Sequence, residues 1–392
     1  MTTVVAIPAV RTSRSLPRTR NVRALPRKDW ALQVYIGGDN NLSDAGLEDI
    51  TEMCEEGSNA RLHVGVEIDT YGEHDGSIRY EISEPDETGA AHRIVIERLP
   101  EQDHGDPTTF LNFLDWGLGR YPAKKRMLVV WNHGSGFRKR RRRDIASDDF
   151  GSSLDMPEVD RALERAGVGP GKKYGKLKII GFDACLMSMI EIVHHFRDRS
   201  EFVVGSQQLE PGDGWPYNDV LAKLKADPSP RTAAAAIVDA YIAEYRAKGE
   251  EDVTQSAIET AKTNDVIDKL HKLGKALQAA LPAGYSAIAR ARNRTQAFDY
   301  ADYVDLIHLC QRLQAVSINP VKIAAKALEQ SARASVVAAK SIGASVKDSN
   351  GLSVWFPPDS RTYFANRSKY LALALNAEKK DWVEFLDAYF AA

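Results

Sequence analysis

Lys176–Met189 reads KLKIIGFDACLMSM. Its apolar run, Leu177–Phe182, breaks at Asp183-Ala184-Cys185, and an amphipathic stretch follows from Leu186. Apolar runs bounded in this way are strands buried on both faces, so the pattern predicts a parallel strand feeding directly into a helix. In open α/β sheets ligand chemistry collects beyond the carboxyl ends of such strands. A cysteine there stands close to a helix N-terminus, whose dipole favours the thiolate. Arg126–Trp131 has the same form and runs into Asn132-His133-Gly134-Ser135-Gly136. Two strand tips, one carrying His133 and one carrying Cys185, offer a base and a nucleophile.

The 392-residue chain, 43% hydrophobic, has room for a large core. Its formal charge of -2 gives no global field toward nucleic acid or a membrane surface. Cys54, Cys185 and Cys310 are odd in number and widely spaced, so neither a disulfide framework nor a zinc spacing is read. No run of about 18 apolar residues marks a membrane helix. Met1–Lys28 holds six arginines, one lysine, three prolines and no acid, and lacks the apolar core of a secretory signal. It reads as a disordered basic tail, with an organellar transit segment as the alternative. A cytoplasmic location is the expectation.

Further along, Trp30–Gly38 and Arg61–Ile68 read as strands, with a helix from about Asp44 to Glu55 between them. Ser77–Ile82 and His92–Arg98 read as a hairpin outside the main sheet. Helices are expected from Pro107 and over Pro157–Ala166, and a strand over Glu201–Ser206. After Tyr217 the texture becomes helical: Arg231–Ala247, Asn264–Leu281, Tyr300–Val316, Pro320–Arg333 and Asp381–Phe390. Strands are expected at Val253–Glu259, Ala334–Gly343 and Gly351–Phe356. The fold class is α/β, a mostly parallel sheet flanked by helices on both faces. Residues 1–29 form the tail, 30–220 the core with both motifs, and 221–392 a helix-rich C-terminal part completing the same fold.

Free cysteine is commonly a small buried hydrophobe, the role assigned to Cys54 and Cys310. The strand-tip position sets Cys185 apart. The glycines beside His133 let backbone N–H groups approach a substrate, although a plain turn would want them too. His194 and His195 read as packed or solvated helix residues.

Several stretches now carry a family resemblance. WNHGSG (131–136) and GFDACLM (181–187) resemble the His and Cys motifs of the clostripain family. So do YIGGDNNL (35–42), EPGDGWPY (210–217), GLSVWFP (351–357) and the closing WVEFL (382–386). The likeness is colinear from about Trp30 to the C-terminus. It implies a caspase-like fold and a thiol protease, a cysteine-type endopeptidase cutting after Arg or Lys through a His133/Cys185 dyad. Backbone amides of Gly134 and Cys185 would supply oxyanion donors, and Asp183 would sit at the base of the substrate pocket. A buried carboxylate suits a bidentate guanidinium, while a helix cap is the competing role for Asp183. Gly205–Leu209 lacks the second pocket acid expected in many relatives. Glu210 and Asp213 are substitutes whose plainer role is loop solvation.

Arg138, Lys139, Arg140, Arg141, Arg142 and Arg143 form a basic run between the two motifs. A solvated loop is the plain reading, and without interleaved aromatics a nucleic-acid patch is not expected. The resemblance suggests autocatalytic cleavage of a zymogen in this run, leaving two associated chains; an inhibitory loop removed by another protease is the competitor. Some family members depend on calcium, and Asp144, Asp148, Asp149 and Asp155 make an acidic loop. They lack EF-hand spacing, so no metal or other cofactor is expected. The expected partners are protein or peptide substrates with basic residues, acting on a monomer, with neither nucleic acid nor membrane. The rival function is a scaffold of the same fold without turnover.

Overall fold

Lys28–Gly38 is buried after its first two residues, and Leu62–Thr70 is buried throughout. Strands covered on both faces read this way, and both belong to the parallel part of one sheet. The computed structural model describes residues 25–71, 76–138, 152–377 and 379–392.

In chain order the first half consists of β1 (Lys28–Gly38), α1 (Ser43–Glu56), β2 (Leu62–Thr70), β3 (Ile78–Ile82), β4 (Arg93–Arg98), α2 (Pro107–Arg120), β5 (Ala123–Trp131), α3 (Met156–Arg165), β6 (Leu177–Asp183), α4 (Ile190–His195) and β7 (Ser200–Gly205). Next come α5 (Tyr217–Lys225), α6 (Pro230–Lys248), β8 (Val253–Glu259), α7 (Thr263–Asn293), β9 (Tyr303–Asp305), α8 (Leu306–Gln314) and α9 (Asn319–Ser335). The chain closes with β10 (Val336–Ile342), β11 (Ser353–Trp355), α10 (Ser360–Leu371) and α11 (Asp381–Ala391).

Among the described residues the main sheet has nine strands in the order β10-β8-β7-β6-β5-β1-β2-β3-β4. The neighbours from β7 to β2 pair in parallel, and the strands at both ends pair antiparallel. Side chains of β1 show how the layers are built. Trp30, Leu32, Val34 and Ile36 join α1, α5 and α6 in one core, while Tyr35 points into the core of α2, α3, α4 and the C-terminal helices. Local chemistry starts the helices. Asp106 caps α2 by accepting from the Thr108 amide at 2.6 Å, ahead of Pro107 in the first turn. Asp155 and Glu158 make a reciprocal capping box on α3, both bonds 2.8 Å.

Three expectations are corrected. The hairpin β3–β4 is not outside the sheet, because β3 pairs with β2 and carries the sheet onward. Tyr300–Val316 is not helical from its start: Tyr303–Asp305 pairs with β11 before α8 begins under an Asp305 cap. The strand β6 does not feed directly into a helix. Leu186 takes φ +66°, a left-handed backbone rare for a non-glycine residue, and α4 starts only at Ile190. In addition, α7 continues through Pro282 to Asn293.

From β1 the chain goes to β2 on one side and returns to β5 on the other, so the order reverses between β1 and β5. Such a switch point opens a crevice at the strand ends. Gly181, in mid-β6, leaves room for the Trp215 ring against the strand: an added Cβ would stand 2.6 Å from that ring. Gly181→Ala should therefore destabilise the fold by about 1–3 kcal/mol through overpacking. Denaturant unfolding checks this, and wild-type stability would show that the indole has room to move.

Candidate active site

Residue by residue, β5 and β6 pair with Trp131 opposite Asp183. The Asn132 amide then donates to the Asp183 carbonyl at 3.2 Å, and the Asn132 side chain donates to Gly37 O at 2.6 Å. These bonds tie the ends of β1, β5 and β6 together. His133 and Cys185 follow immediately and line one cavity of about 230 Å³, together with Leu42, Asp183 and Glu210. Gly134 packs on the backbone of Cys185: a Cβ there would lie 2.2 Å from Cys185 O and 2.7 Å from Cys185 N.

The ring of His133 has Nε2 3.0 Å from Asn41 Oδ1. The amide oxygen accepts, so Nε2 carries the proton of the neutral ring and Nδ1 the lone pair. Asn41 sits in the turn after β1. Its signal was its place in the YIGGDNNL stretch.

Cys185 is half-buried, and the Glu210 amide donates to its Sγ at 3.2 Å. Burial pushes the thiol pKa up; the Glu210 and Gly134 amides pull it down, and the Asp183 charge raises it further. The expected thiolate-favouring helix dipole is corrected, since α4 starts five residues later and the thiol is shifted upward.

The loop after β7 folds back over Cys185. Leu186 N donates to Gln208 O at 3.1 Å, Ser188 N to Ser206 O at 2.8 Å, and Tyr245 of α6 to Gly214 O at 2.6 Å. This brings EPGDGWPY against the strand tips. Asp183, 4% exposed, accepts through Oδ2 from the Trp215 amide at 3.1 Å and the Tyr217 hydroxyl at 2.9 Å. The Glu210 carboxyl lies within electrostatic reach of Asp183, and Gln255 donates to Glu210 Oε1 at 3.2 Å. Asp49 stands behind Gly214, whose position lies 3.1 Å from both Asp49 Oδ2 and Asp183 Oδ2 for a built Cβ. Burial raises the pKa of all three acids. Asp183 reaches about 6, and mutual repulsion lifts Asp49 and Glu210 well above the usual carboxylate range.

Glu210 is thereby corrected from loop solvation to a carboxyl with one oxygen buried near Asp183, although the residue itself is partly exposed. Asp213 is exposed and pairs with Lys248 at 2.9 Å, as a solvated loop acid would. Gln207 serves the fold, donating to Asp305 at 3.0 Å and accepting from Gly351 N at 2.7 Å. Cys310 is buried in the core, and His194, bonded to Thr263 at 3.2 Å, is pushed down to about 3 by burial. Arg138 is buried in an ion pair with Asp302 and is not part of a solvated loop. Lys139 to Arg143, with Asp144, Asp148 and Asp149, lie outside the described residues, as do residues 1–24.

A family model described as the clostripain family matches residues 34–389. Clostripain of Hathewaya histolytica is 30% identical over 145 residues, 32% of this chain and 26% of that protein. The match thus spans about a quarter of the curated relative. A secreted C11 cysteine protease from Bacteroides thetaiotaomicron, solved with an irreversible peptide inhibitor, aligns with a TM-score of 0.66 at 22% identity, over 88% of this chain and 98% of its own. An inactive zymogen C11 protease from Parabacteroides distasonis aligns with a TM-score of 0.71 at 18% identity, over 91% and 99%. A further Bacteroides thetaiotaomicron structure, also a secreted C11 protease, gives 0.69 at 13% identity, over 90% and 99%. The secreted character of the two Bacteroides enzymes overturns the cytoplasmic expectation. No described helix is long and apolar enough to cross a membrane.

The buried acids give stability a defined pH dependence. Asp183 has an ordinary value of 3.8 and reaches about 6 when folded, so the folded state holds the proton more tightly. The stability this contributes is complete below pH 3.8 and is lost as pH rises through about 6. Asp183→Asn keeps an acceptor for Trp215 and Tyr217 but does not titrate. It should gain stability over the wild type as pH goes from 4 to 8, measured as Tm at each pH; a difference independent of pH would show that another group titrates.

Proposed function

Because the chain belongs to the clostripain family of cysteine peptidases, we propose that it is an endopeptidase cutting after Arg or Lys, with Cys185 as nucleophile and His133 as general base and acid. One observation carries the specificity: Asp183 and one carboxylate oxygen of Glu210 are buried beside Cys185 with Asp49 behind them, and no basic side chain of the described residues is paired with any of the three. Three acids in one buried cluster repel one another and retain protons. A guanidinium or ammonium entering there relieves the repulsion, and the planar fork of Arg matches two carboxylates at once.

In this reading His133 Nδ1 takes the thiol proton as Sγ attacks the scissile carbonyl. The carbon–nitrogen bond then breaks, His133 protonates the leaving amine, and water resolves the thioester. Amides of Gly134 and Cys185 hold the oxyanion, in keeping with the close packing of the two backbones. A cationic side chain beside Asp183 also weakens the negative field that opposes ionisation of the thiol. Self-processing in the basic run follows from the same preference, since the run offers consecutive bonds that such an enzyme cuts. The zymogen form of the Parabacteroides distasonis relative is consistent with maturation of this kind. An extracellular site of action follows the two secreted relatives.

Peptide amides with Arg or Lys preceding the scissile bond should be hydrolysed, and those with Ala or Glu there roughly a thousandfold more slowly. Asp183→Asn should lower kcat/KM for the Arg substrate by about two orders of magnitude, the worth of a buried charge-assisted pair. Cys185→Ala should abolish turnover and leave an intact mass where the wild type yields two fragments. Equal rates on Arg and Ala substrates would end the specificity reading, and turnover by Cys185→Ala would end the assignment of the nucleophile.

A further inference from the structure

Arg138 opens the basic run by composition, yet it is 9% exposed and surrounded. Its Nη2 donates to Asp302 Oδ1 at 2.6 Å and its Nε to the Tyr303 hydroxyl at 3.2 Å. The guanidinium lies over the rings of Tyr300, at 4.4 Å, and Tyr303, at 5.0 Å. Its carbonyl accepts from Ser135 Oγ, which closes the turn begun at His133. Tyr303 donates in the same place to Ser135 O at 2.6 Å. Gly136, at φ +69°, presses on Tyr303, whose hydroxyl would be 2.7 Å from an added Cβ. One tyrosine hydroxyl therefore bridges the Arg138 side chain and the His133 turn.

Asp302 is held in turn. Its Oδ2 accepts from Trp355 Nε1 at 2.8 Å and its carbonyl from Phe356 N at 2.8 Å. Trp355 N and the Tyr370 hydroxyl both donate to Glu191 Oε1, each at 2.9 Å. The anchor therefore reaches from the His133 turn through GLSVWFP into the buried core of the C-terminal part. A buried guanidinium bound to a carboxylate, with two aromatic faces, is a fixed point; a short turn containing two glycines is not one by itself.

We propose that Arg138 is a positioning residue which, through Asp302 and Tyr303, holds the His133 turn in its working place beside Cys185. The proposal rests on the reading of His133 as the base. It has a corollary for maturation. To be cut after Arg138, the guanidinium would have to leave Asp302 for an acidic pocket, and the carbonyl would have to leave Ser135. The Arg138–Lys139 bond is thus the bond of the run that the enzyme spares.

The test compares wild type, Arg138→Met, Arg138→Lys, Tyr303→Phe and His133→Ala as full-length chains. Functional thiols are counted by titration with a basic chloromethyl ketone, so that a smaller folded fraction does not count as slower turnover. Arg138→Met should lower kcat per titrated site at least tenfold with KM within about twofold. Arg138→Lys, which keeps the charge, should recover part of the loss. Tyr303→Phe leaves the ion pair with Asp302 and removes only the bridging hydroxyl; it should also lower kcat, and it serves if Arg138→Met does not fold. Mass analysis of matured wild type should find no fragment ending at Arg138. Unchanged kcat per site in Arg138→Met, or in Tyr303→Phe where the former is insoluble, overturns the proposal, as does a fragment ending at Arg138. His133→Ala separates the two readings: if it retains turnover the base assignment fails, whereas an inactive His133→Ala beside a fully active Arg138→Met removes only the role of Arg138.

Discussion

Parallel pairing of Ala123–Trp131 with Leu177–Asp183, Trp131 opposite Asp183, places the two motif turns one strand spacing apart, about 4.8 Å. Everything at the site inherits this register. A shift by one residue would turn the side chains of β6 to the opposite face, and Asp183 would leave the pocket for the far core. The neighbouring β1 adds the turn that presents Asn41 to His133, so three strand ends converge where the strand order reverses. The sheet is a positioning device first, and His133 and Cys185 sit just beyond the ends of its central strands.

The second constraint is electrostatic. Asp49 and Asp183 are buried, with one carboxylate oxygen of Glu210 buried beside them, and the three charges repel one another. Such a cluster is costly to the fold, and proteins keep costly clusters where they act. Glu210 ties that cost to the thiol, because its amide donates to Cys185 Sγ while the pKa of its carboxyl, with one oxygen buried, is raised by burial and by the Asp183 charge.

How much of this was legible depended on the range of the interactions. The strand tips of His133 and Cys185 are local patterns, an apolar run and an abrupt stop, and they were readable as such. The helix expected from Leu186 was misplaced because amphipathic spacing carries no sign of a positive φ. Nor does it show that Leu186 and Ser188 bond to the chain after β7. Glu210 was named as a substitute acid but given loop solvation as its plainer role for a related reason: only the folding back of its loop, pinned by Tyr245 from α6, buries one of its carboxylate oxygens. Arg138 was hidden by its neighbours in sequence. Its partner Asp302 lies 164 residues away, a distance at which composition says nothing. The hairpin β3–β4 was recognised as a hairpin, but alternation of polar and apolar residues does not name the strand it will pair with.

The connection between Arg138 and Ser152 joins β5 to β6 at the centre of the sheet, not at its rim. A break there leaves each piece with half of one hydrogen-bonded ladder and one of the two chemical groups. Neither piece holds a complete core, so the intact chain can fold on its own, whereas the broken one must find its partner again after each complete unfolding. Assembly then becomes second order, and on dilution an encounter is slow. A severed molecule would keep its structure as long as the central ladder holds and would lose it once. The position of that connection thus sets a lifetime: a break there would turn a reversible fold into one with memory only of its first folding.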